Sequence, residues 1–488
     1  MLHNATVERE LQLADYEQVP GLLTTLAELR HEGQLAVRRL RKRRVVVISE
    51  LSGVGCEAEM LPSLVALLRS CGIDVQWWQY RPDDAKALEL NRRLRRLVLG
   101  DPTLGHTLDD EDAALFKAQA EAATRELAPQ IERDDVLLVH GIGCAPIGAL
   151  LKRERRALAL WRCTLGLDDR TPSTRAAWRF LKDHLTPYDR GLFNCAEYIP
   201  QYFTNRASLV APGIDPLSDK NRPLSLHRVV GTLCSAGLVE QEAPTLARPF
   251  AAKVKLVGRD GRLREPGELE LLYRPLLLQI SRWDKLKGMV PLIEGFARLK
   301  RQLAAGELAH LNEREQRRIG IARLVLAGTD PAALGDDREA VAAFDEVVAA
   351  YAALEPELAR DVCILALPAA SARENALIVN ALQRAASVII QNSLREGFGL
   401  TVAEAGFKGV PVIASATSGI KLQLRHEIDG LLCDDPASPE AVAASLLAMF
   451  GDEEARQRYT VSAQRRVLSE FLITSQLQRL LRLFSELA

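Results

Sequence analysis

The 488-residue chain lacks the features that mark membrane, secreted and nucleic-acid-binding proteins. No apolar run reaches the roughly 18 residues that a membrane-spanning helix needs, and the N-terminus has no apolar stretch typical of a secretory signal. Its 63 basic and 64 acidic side chains leave a formal net charge of -1, so no general attraction to nucleic acid or to an anionic membrane is expected. These absences favour a cytoplasmic protein that holds any anionic ligand in a local site.

Cysteine pairs and aromatic residues are also scarce. The eight cysteines are scattered without a C-x-x-C pair, which is typical of small, reduced, buried side chains, so neither zinc nor a disulfide framework is expected. Aromatic residues make up 5% of the chain and hydrophobic residues 48%, so the cores must be mainly aliphatic. Two basic runs, at 38–44 and 92–96, have no interleaved aromatic residues and are interpreted as solvated surfaces.

Length and patterning predict two α/β domains of the doubly wound, Rossmann-like type. Short apolar runs alternate with longer helical patterns, as in parallel sheets that are covered on both faces. Strands are predicted in the first half at 44–49, 73–79, 135–140, 157–162 and 191–195. They are predicted in the second half at 276–281, 323–327, 362–366, 387–391 and 410–414, with helices at 288–304, 334–353, 374–385, 400–408 and 438–449.

The domain boundary is predicted within polar segments. Residues 212–223 and 256–274 have loop compositions, and a helical linker is expected at 224–250. We therefore assign residues 1–265, with an N-terminal extension and the linker, to the first domain and residues 266–465 to the second. A last helix, 466–488, is expected to pack back on the first domain.

The most informative segment is QNSLREGFGLTVAEAGFKGVPV at 391–412, where a glycine-containing loop leads from a buried strand into a helix. Ligands bind at this edge of a parallel sheet, and the N–H groups that begin a helix attract an anion. Gly397 and Gly399 allow close approach to the backbone. Glu396 and Glu404 flank this loop. Because carboxylates repel phosphate, we expect them to accept hydrogen bonds from neutral hydroxyl groups.

A second segment, QISRWDKLKG at 279–288, supplies positive charge at the same predicted sheet edge. Arg282 and Lys287 lie in the loop after the first strand of the second domain, where guanidinium and ammonium groups can bind phosphate. A nucleotide sugar presents both a diphosphate and sugar hydroxyls. The two segments together predict a nucleotide-sugar site in the second domain.

These motifs resemble those of the retaining GT-B glycosyltransferases of family 4. EGFGLTVAEA at 396–405 and SRWDKLK at 281–287 carry the resemblance, which is closest to the trehalose synthase and trehalose phosphorylase branch. Further stretches that are similar to this branch lie at 58–68, 161–163, 187–189, 214–224, 326–331 and 374–384. The resemblance implies the GT-B fold, in which two Rossmann-like domains face each other across a cleft.

The resemblance also implies an activity and its partners. The chain would transfer a hexose, with glucose as the expected sugar, from a UDP-, GDP- or ADP-hexose to a small soluble acceptor such as a sugar or a cyclitol. The anomeric configuration would be retained, and neither a metal nor another cofactor is implied. Many relatives of this kind form homodimers, although the sequence has no self-complementary signature.

Roles for individual residues follow from the same resemblance. Arg282 and Lys287 would hold the donor diphosphate and stabilise it as it leaves, and Glu404 would bind the ribose. Glu396 would contact the hexose and is the third residue to which we assign a catalytic role. Backbone amides beside it complete the donor site, at Gly397, Phe398, Gly399 and Leu400.

The first half of the chain departs from the branch at three places. The glycine-rich loop G-G-G-V before A-E-M-L is replaced by the segment 52–57, in which Gly55 is the matching glycine. W-R-C-H-I-D ends here in Thr164-Leu165-Gly166, so Thr164 replaces the histidine that contacts the hexose. V-H-D becomes Val139-His140-Gly141, and His140 is either a polar site residue or a satisfied structural histidine. Gly55, Thr164 and His140 are the candidate binding residues of this half, and the changes favour an acceptor other than glucose.

Three functions remain open on the sequence. The first is the glycosyltransferase. The second is a trehalose-type phosphorylase, because the same basic residues would bind inorganic phosphate. The third is a non-catalytic nucleotide-sugar-binding protein, which the replaced histidine favours and the retained glutamates and basic residues oppose. Fold alone does not decide among them.

Overall fold

A computed structural model describes residues 2–7, 9–41, 43–51, 55–101, 107–240, 249–267, 269–335 and 337–487. The chain forms two compact units. The first consists of Met1–Asp215, Arg395–Leu400 and Leu468–Ala488, and the second of Pro216–Leu394 and Thr401–Val467. Each unit is built on a mainly parallel sheet flanked by helices, so the predicted α/β class with two Rossmann-like domains is confirmed.

The sheet of the first unit has the strand order β1-β3-β2-β4-β5-β6-β7. Its strands are β1 (Leu2–Asn4), β2 (Val45–Glu50), β3 (Val75–Tyr80), β4 (Val136–His140), β5 (Leu158–Cys163), β6 (Arg190–Phe193) and β7 (Ala207–Leu209). Only β1 runs antiparallel to its neighbour among these strands. The central strands β2 and β4 are buried on both faces, which explains their continuous apolar sequences.

Helices of the first unit cover this sheet. They are α1 (Leu23–Leu40), α2 (Cys56–Ser70), α3 (Ala85–Val98), α4 (Asp110–Leu127), α5 (Ala145–Arg155) and α6 (Pro172–Leu185). The last helix of the chain, at Ile473–Leu487, belongs to the same unit and packs against α1 and α2. Its buried side chains include Leu477, Leu480 and Phe484.

The sheet of the second unit has the strand order β15-β14-β13-β10-β11-β12-β8-β9. Its strands are β8 (Lys255–Val257), β9 (Leu263–Arg264), β10 (Leu276–Ile280), β11 (Arg323–Thr329), β12 (Val362–Leu367), β13 (Val388–Gln391), β14 (Val412–Ser415) and β15 (Leu431–Cys433). Only β8 and β9 run antiparallel to their neighbours among these strands.

The remaining helices follow in chain order. They are α7 (Leu226–Ser235), α8 (Met289–Ala304), α9 (Glu313–Ile321), α10 (Arg338–Ala352), α11 (Pro356–Ala359), α12 (Ala372–Ala385), α13 (Leu400–Lys408), α14 (Ser418–Gln423), α15 (Pro439–Gly451), α16 (Glu453–Glu470) and α17 (Ile473–Leu487). Within the part of the chain that the structure describes, none of the helices combines the length and the hydropathy that crossing a bilayer requires.

The structure corrects the sequence-based interpretation in the region of the boundary. The N-terminal stretch of the first unit ends at Asp215 rather than at 265, because α7 packs against α12 in the core of the second unit, where Leu233 and Leu382 are both buried. The helical linker expected at 224–250 is wrong in its extent, since α7 ends at Ser235, while residues 241–248 lie outside the described residues. Within 256–274, interpreted as a loop, β8 and β9 form a short hairpin.

Candidate functional site

The loops that follow β10 and β13 are joined by hydrogen bonds at the edge of the second sheet. These strands are parallel neighbours, so their carboxyl ends lie side by side. The buried side chain of Gln279 accepts a bond of 2.9 Å from the backbone N–H of Asn392 and donates one of 2.8 Å to the carbonyl of Lys287. The side-chain amide of Asn392 donates to the carbonyl oxygen of Gly288 at 3.0 Å. The basic loop, which follows β10 and carries Arg282 and Lys287, is therefore fixed to the beginning of the glycine-containing segment.

Gly288 makes this close approach possible. Its φ is +59°, and a Cβ at this position would lie 2.1 Å from the carbonyl oxygen of Asn392. A larger residue would separate the two loops. In the same basic loop, the side chain of Arg282 is 60% exposed, and the nearest carboxylate oxygen that it faces belongs to Asp284, 3.7 Å away. Its guanidinium group is therefore accessible to an anion.

Glu404 lies in α13 and is fully buried in the second unit. The Nζ of Lys220 is 2.7 Å from one carboxylate oxygen, and the side-chain amide of Gln383 donates to the other at 2.9 Å. Burial raises the pKa of Glu404, but the ammonium groups of Lys220 and Lys408, together with these hydrogen bonds, outweigh burial and hold the pKa below its ordinary value. Glu404 is therefore an ionised acceptor that protein groups already contact.

The segment 395–400, which contains Glu396, belongs to the first unit. The hydroxyl of Tyr198 donates to the carbonyl of Gly397 at 2.6 Å, and the amide of Asn194 donates to the carbonyl of Thr164 at 2.8 Å. A Cβ at Gly397 would lie 2.7 Å from that same Thr164 carbonyl oxygen, so the two backbones pack directly. The structure thus brings together Thr164 and the segment that carries Glu396.

The other residues of this segment fix its course. Phe398 is buried, and its ring centre lies 6.0 Å from that of Phe471, which anchors the segment in the first unit. Gly399 has φ of +79°, a conformation that favours glycine, and it turns the chain into α13 at Leu400. The predicted arrangement of glycine loop and helix start is therefore present.

A polar cluster lies beneath the first turn of α2. His140 and Arg162 are paired in the register of β4 and β5, and both are completely buried. Among the described residues, neither ring nitrogen of His140 and none of the guanidinium nitrogens of Arg162 has a hydrogen-bond partner. Glu57 stands 3.9 Å from Nδ1 of His140 and accepts a bond of 3.3 Å from the hydroxyl of Thr164.

Burial changes the protonation of this cluster. It raises the pKa of Glu57 to about 7, against the opposing effects of Arg162 and Thr164. Burial, followed by the charge of Arg162, lowers the pKa of His140 well below its ordinary value, so His140 is neutral near pH 7. A carboxyl group with a pKa near 7 can both accept and donate a proton at neutral pH. The cluster can therefore orient and polarise the hydroxyl groups of a ligand.

The departures from the branch pattern have structural reasons. A Cβ at Gly166 would lie 2.2 Å from Cγ of Tyr198, so that ring fills the space that an aspartate would need. Gly141 has φ of +86°, and its Cβ would lie 2.6 Å from a carboxylate oxygen of Glu50. The matching glycine of the replaced loop, Gly55, has φ of +107° and precedes α2, while residues 52–54 lie outside the described residues.

Several residues of these two clusters were missed by the sequence analysis. Lys220, Arg162 and Gln383 lie in stretches that resemble the trehalose synthase branch, so a signal existed, but no motif assigned them a contact. Glu57 and Tyr198 carried no such signal, because their positions depend on tertiary packing. Within the described ranges, no group of three His, Cys, Asp or Glu side chains is arranged to hold a metal ion.

Comparison with known protein families identifies both halves of the chain. Residues 47–200 match the N-terminal domain of trehalose synthase, and residues 373–466 match the glycosyl transferases of group 1. The chain is a GT-B glycosyltransferase. The predicted resemblance to the trehalose synthase and trehalose phosphorylase branch is confirmed by these matches and by the relatives described next.

Two proteins and one solved structure illustrate the likeness of this glycosyltransferase to others. It is 28% identical over 478 residues to a trehalose synthase of Pyrococcus horikoshii, covering 98% of this chain and 96% of the relative. It is 33% identical over 187 residues to a trehalose phosphorylase of Grifola frondosa, covering 38% of this chain and 23% of the relative. The α,α-trehalose-phosphate synthase (UDP-forming) of Burkholderia xenovorans, in complex with glucose-6-phosphate, matches with a TM-score of 0.64 at 14% identity over 90% of this chain and 99% of that chain. The structural match shows the shared GT-B fold.

Proposed function

We propose that this glycosyltransferase transfers a hexose, with glucose as the expected sugar, from a nucleoside diphosphate to a small soluble acceptor, with retention of the anomeric configuration as in family 4. The observation that carries the proposal is the bonding of Gln279 to both Lys287 and Asn392. It places a basic loop beside the segment that leads to the two glutamates. A diphosphate and sugar hydroxyls are the groups that such a pair of loops would recognise.

In this proposal the basic residues act on the leaving group. Arg282 and Lys287 bind the diphosphate and neutralise the negative charge that develops as its bond to the hexose breaks, so no metal ion is needed for this step. Glu404, held ionised, accepts hydrogen bonds from ribose hydroxyls. The UDP-forming activity in the name of the Burkholderia xenovorans relative supports a nucleotide donor.

The first unit provides the groups that face the hexose and the acceptor. Glu396 accepts hydrogen bonds from the hexose, and the backbone amides of 397–400 lie beside it. Thr164 takes the place of the histidine of the branch, with Glu57 bonded to it at 3.3 Å. Because Tyr198 fills the space beside Gly166, the surroundings of the acceptor differ from those in the branch, and we expect an acceptor other than free glucose.

A calorimetric screen tests this function. UDP-, GDP- and ADP-glucose are titrated into the full chain, together with the three free diphosphates and glucose 1-phosphate. Binding of one nucleotide sugar is expected, and its release as diphosphate on addition of sugars and cyclitols would then identify the acceptor. Binding of glucose 1-phosphate without any nucleotide would instead indicate a phosphorylase. Nucleotide-sugar binding without turnover on any acceptor would indicate a binding protein.

A further inference from the structure

The carboxylate of Glu404 is one of the most completely enclosed charges in the second unit. An ionised carboxylate that is removed from water is costly unless a counter-charge and hydrogen bonds compensate for the lost hydration. Here Lys220 faces one oxygen at 2.7 Å and Gln383 faces the other at 2.9 Å. Of the two ammonium groups that lower the pKa of Glu404, Lys220 has the larger effect, and its side chain remains 22% exposed.

The backbone on both sides of Lys220 is held in place by α12. The buried side chain of Asn380 donates to the carbonyl oxygens of Asp219 and Arg222, at 3.0 and 2.9 Å. The guanidinium group of Arg384 donates to the carbonyl oxygens of 221 and 222 and to Oδ1 of Asn380. None of these five hydrogen bonds involves Glu404. They fix the short segment 219–222 so that one lysine side chain reaches the carboxylate.

The other charged groups around Glu404 are few. Lys408, one turn further along α13, also lowers the pKa of Glu404, by less than Lys220 does, while its own Nζ donates to Oδ1 of Asn221 at 2.8 Å. From α12 comes the uncharged Gln383. The direct counter-charge of Glu404 is therefore Lys220.

We propose that Lys220 is a positioning residue of the nucleotide site, whose ammonium group keeps Glu404 ionised and oriented so that it can accept the hydroxyl groups of the ribose. The proposal rests on the nucleotide-binding role of Glu404 given above. A carboxylate has about four lone-pair positions, and Lys220 and Gln383 occupy two of them. The other two positions are the ones that the ribose hydroxyls would use.

The first test does not require a nucleotide. Thermal unfolding is measured at pH 5.5 and 8.5 for the wild type, K220M, E404Q and K220M/E404Q. Without its counter-charge, Glu404 has a raised pKa in the folded protein, so K220M loses stability as the pH rises and the buried carboxyl group must ionise. We expect the melting-temperature loss of K220M to be larger at pH 8.5 and to become independent of pH in the E404Q background.

Two controls sharpen this test. K220R keeps the charge and should restore most of the wild-type behaviour. K86M removes the lysine of an exposed pair with Glu111, 3.7 Å apart, and should change neither the melting temperature nor its pH dependence. An equal loss for K220M at both pH values, or an equal loss in the wild-type and E404Q backgrounds, would overturn the proposal, because Lys220 would then contribute packing alone.

The second test measures nucleotide affinity. UDP, GDP and ADP are titrated into the wild type and K220M between pH 6 and 8.5, and the ratio of the two dissociation constants is followed. Protonated Glu404 accepts hydroxyl groups poorly, so this ratio should rise as the pH falls toward the raised pKa of Glu404 in K220M, and it reaches about tenfold where about nine-tenths of this carboxyl group is protonated. A ratio that is constant with pH would contradict the positioning role. A wild type that binds no nucleotide would refute the proposed function, while the unfolding test would still decide whether Lys220 controls Glu404.

Discussion

The hydroxyl group of Tyr198 donates a hydrogen bond of 2.6 Å to the carbonyl oxygen of Gly397. The same aromatic ring fills the space beside Gly166, where the trehalose synthase branch has an aspartate. The side chain of Tyr198 therefore occupies the space of a polar group of the branch, and it also supports the segment that carries Glu396. This relationship links a change in the first half of the chain to the geometry of the proposed hexose contact.

Tyr198→Phe tests this support. The Gly397 carbonyl would keep only the longer contact of 3.5 Å from Asn194, so we expect a stability loss of about 1 kcal/mol. Displacement of Glu396 should lower kcat by about tenfold, while the affinity for the nucleoside diphosphate stays unchanged. Steady-state kinetics and calorimetry measure the two effects.

The control for this substitution is Tyr202→Phe. Tyr202 lies in the same unit and donates to the carbonyl oxygen of Trp178 at 3.2 Å. It should lose a similar stability without a change in kcat. Equal kcat values for the wild type and Tyr198→Phe would mean that the hydrogen bond to Gly397 has no part in placing Glu396.

Glu57→Gln tests the polar cluster beneath α2 through its pH dependence. The folded-state pKa of Glu57, about 7, exceeds the ordinary value of 4.5, so the folded protein binds this proton more tightly than the unfolded chain does. The resulting stability is present in full below about pH 4.5 and is lost as the pH rises to about 7, on the order of 3 kcal/mol. The variant should therefore match the wild type at about pH 4 and be more stable at about pH 8.

Thermal unfolding at several pH values measures this difference. Glu59→Gln is the matched control, because Glu59 lies in the same helix and is exposed. It should show no pH-dependent difference from the wild type. A Glu57→Gln protein whose melting temperature stays parallel to that of the wild type at every pH would show that folding does not raise the pKa of Glu57.

Lys287→Ala and Glu404→Ala test the two loops of the second unit. Each change removes a charged hydrogen-bonding group that we assign to the nucleotide, and such groups contribute about 1.5–3 kcal/mol, so the dissociation constant should rise by about 10- to 100-fold. The loss for Lys287→Ala should decrease at high salt, because it is electrostatic. Calorimetric titration with the preferred diphosphate measures both.

Lys285→Ala is the control for the basic loop. Lys285 lies two residues before Lys287, and its Nζ is paired with Glu346 at 2.5 Å, on a half-exposed surface. The substitution should leave the dissociation constant within about twofold of the wild type. Wild-type affinity in both Lys287→Ala and Glu404→Ala would remove these residues from the nucleotide site.

The sequence was sufficient to predict the parts of the fold that depend on local pattern. All ten predicted strands are present, with ends that differ by at most two residues, because most of their apolar side chains are buried in the sheets. The short strands β1, β7, β8, β9 and β15 were missed, since two or three residues show no periodicity. The boundary was misplaced because the docking of α7 on α12 is a tertiary contact that composition does not show.

The positions of the two candidate loops were predictable from the strands that precede them. The loop with Lys287 follows β10, and the segment that leads to Glu396 follows β13, which is the parallel neighbour of β10. The partners of these residues were not predictable. Lys220 is 184 residues from Glu404 in the sequence, and their pairing at 2.7 Å depends on the bonds that Asn380 makes to the segment 219–222.

Thr164→His tests how far the first unit has diverged from the trehalose synthase branch. The change restores the histidine of W-R-C-H-I-D, but Tyr198 still occupies the space that an aspartate at Gly166 would need, and Glu50 still lies where a side chain at Gly141 would begin. We therefore expect no trehalose from glucose with UDP-, GDP- or ADP-glucose as donor. Chromatography of the products measures this, and diphosphate release with the preferred acceptor shows whether the variant is folded and active. Trehalose formation after this single change would mean that residue 164 alone determines the acceptor and that the packing at Gly166 and Gly141 has no part in the choice.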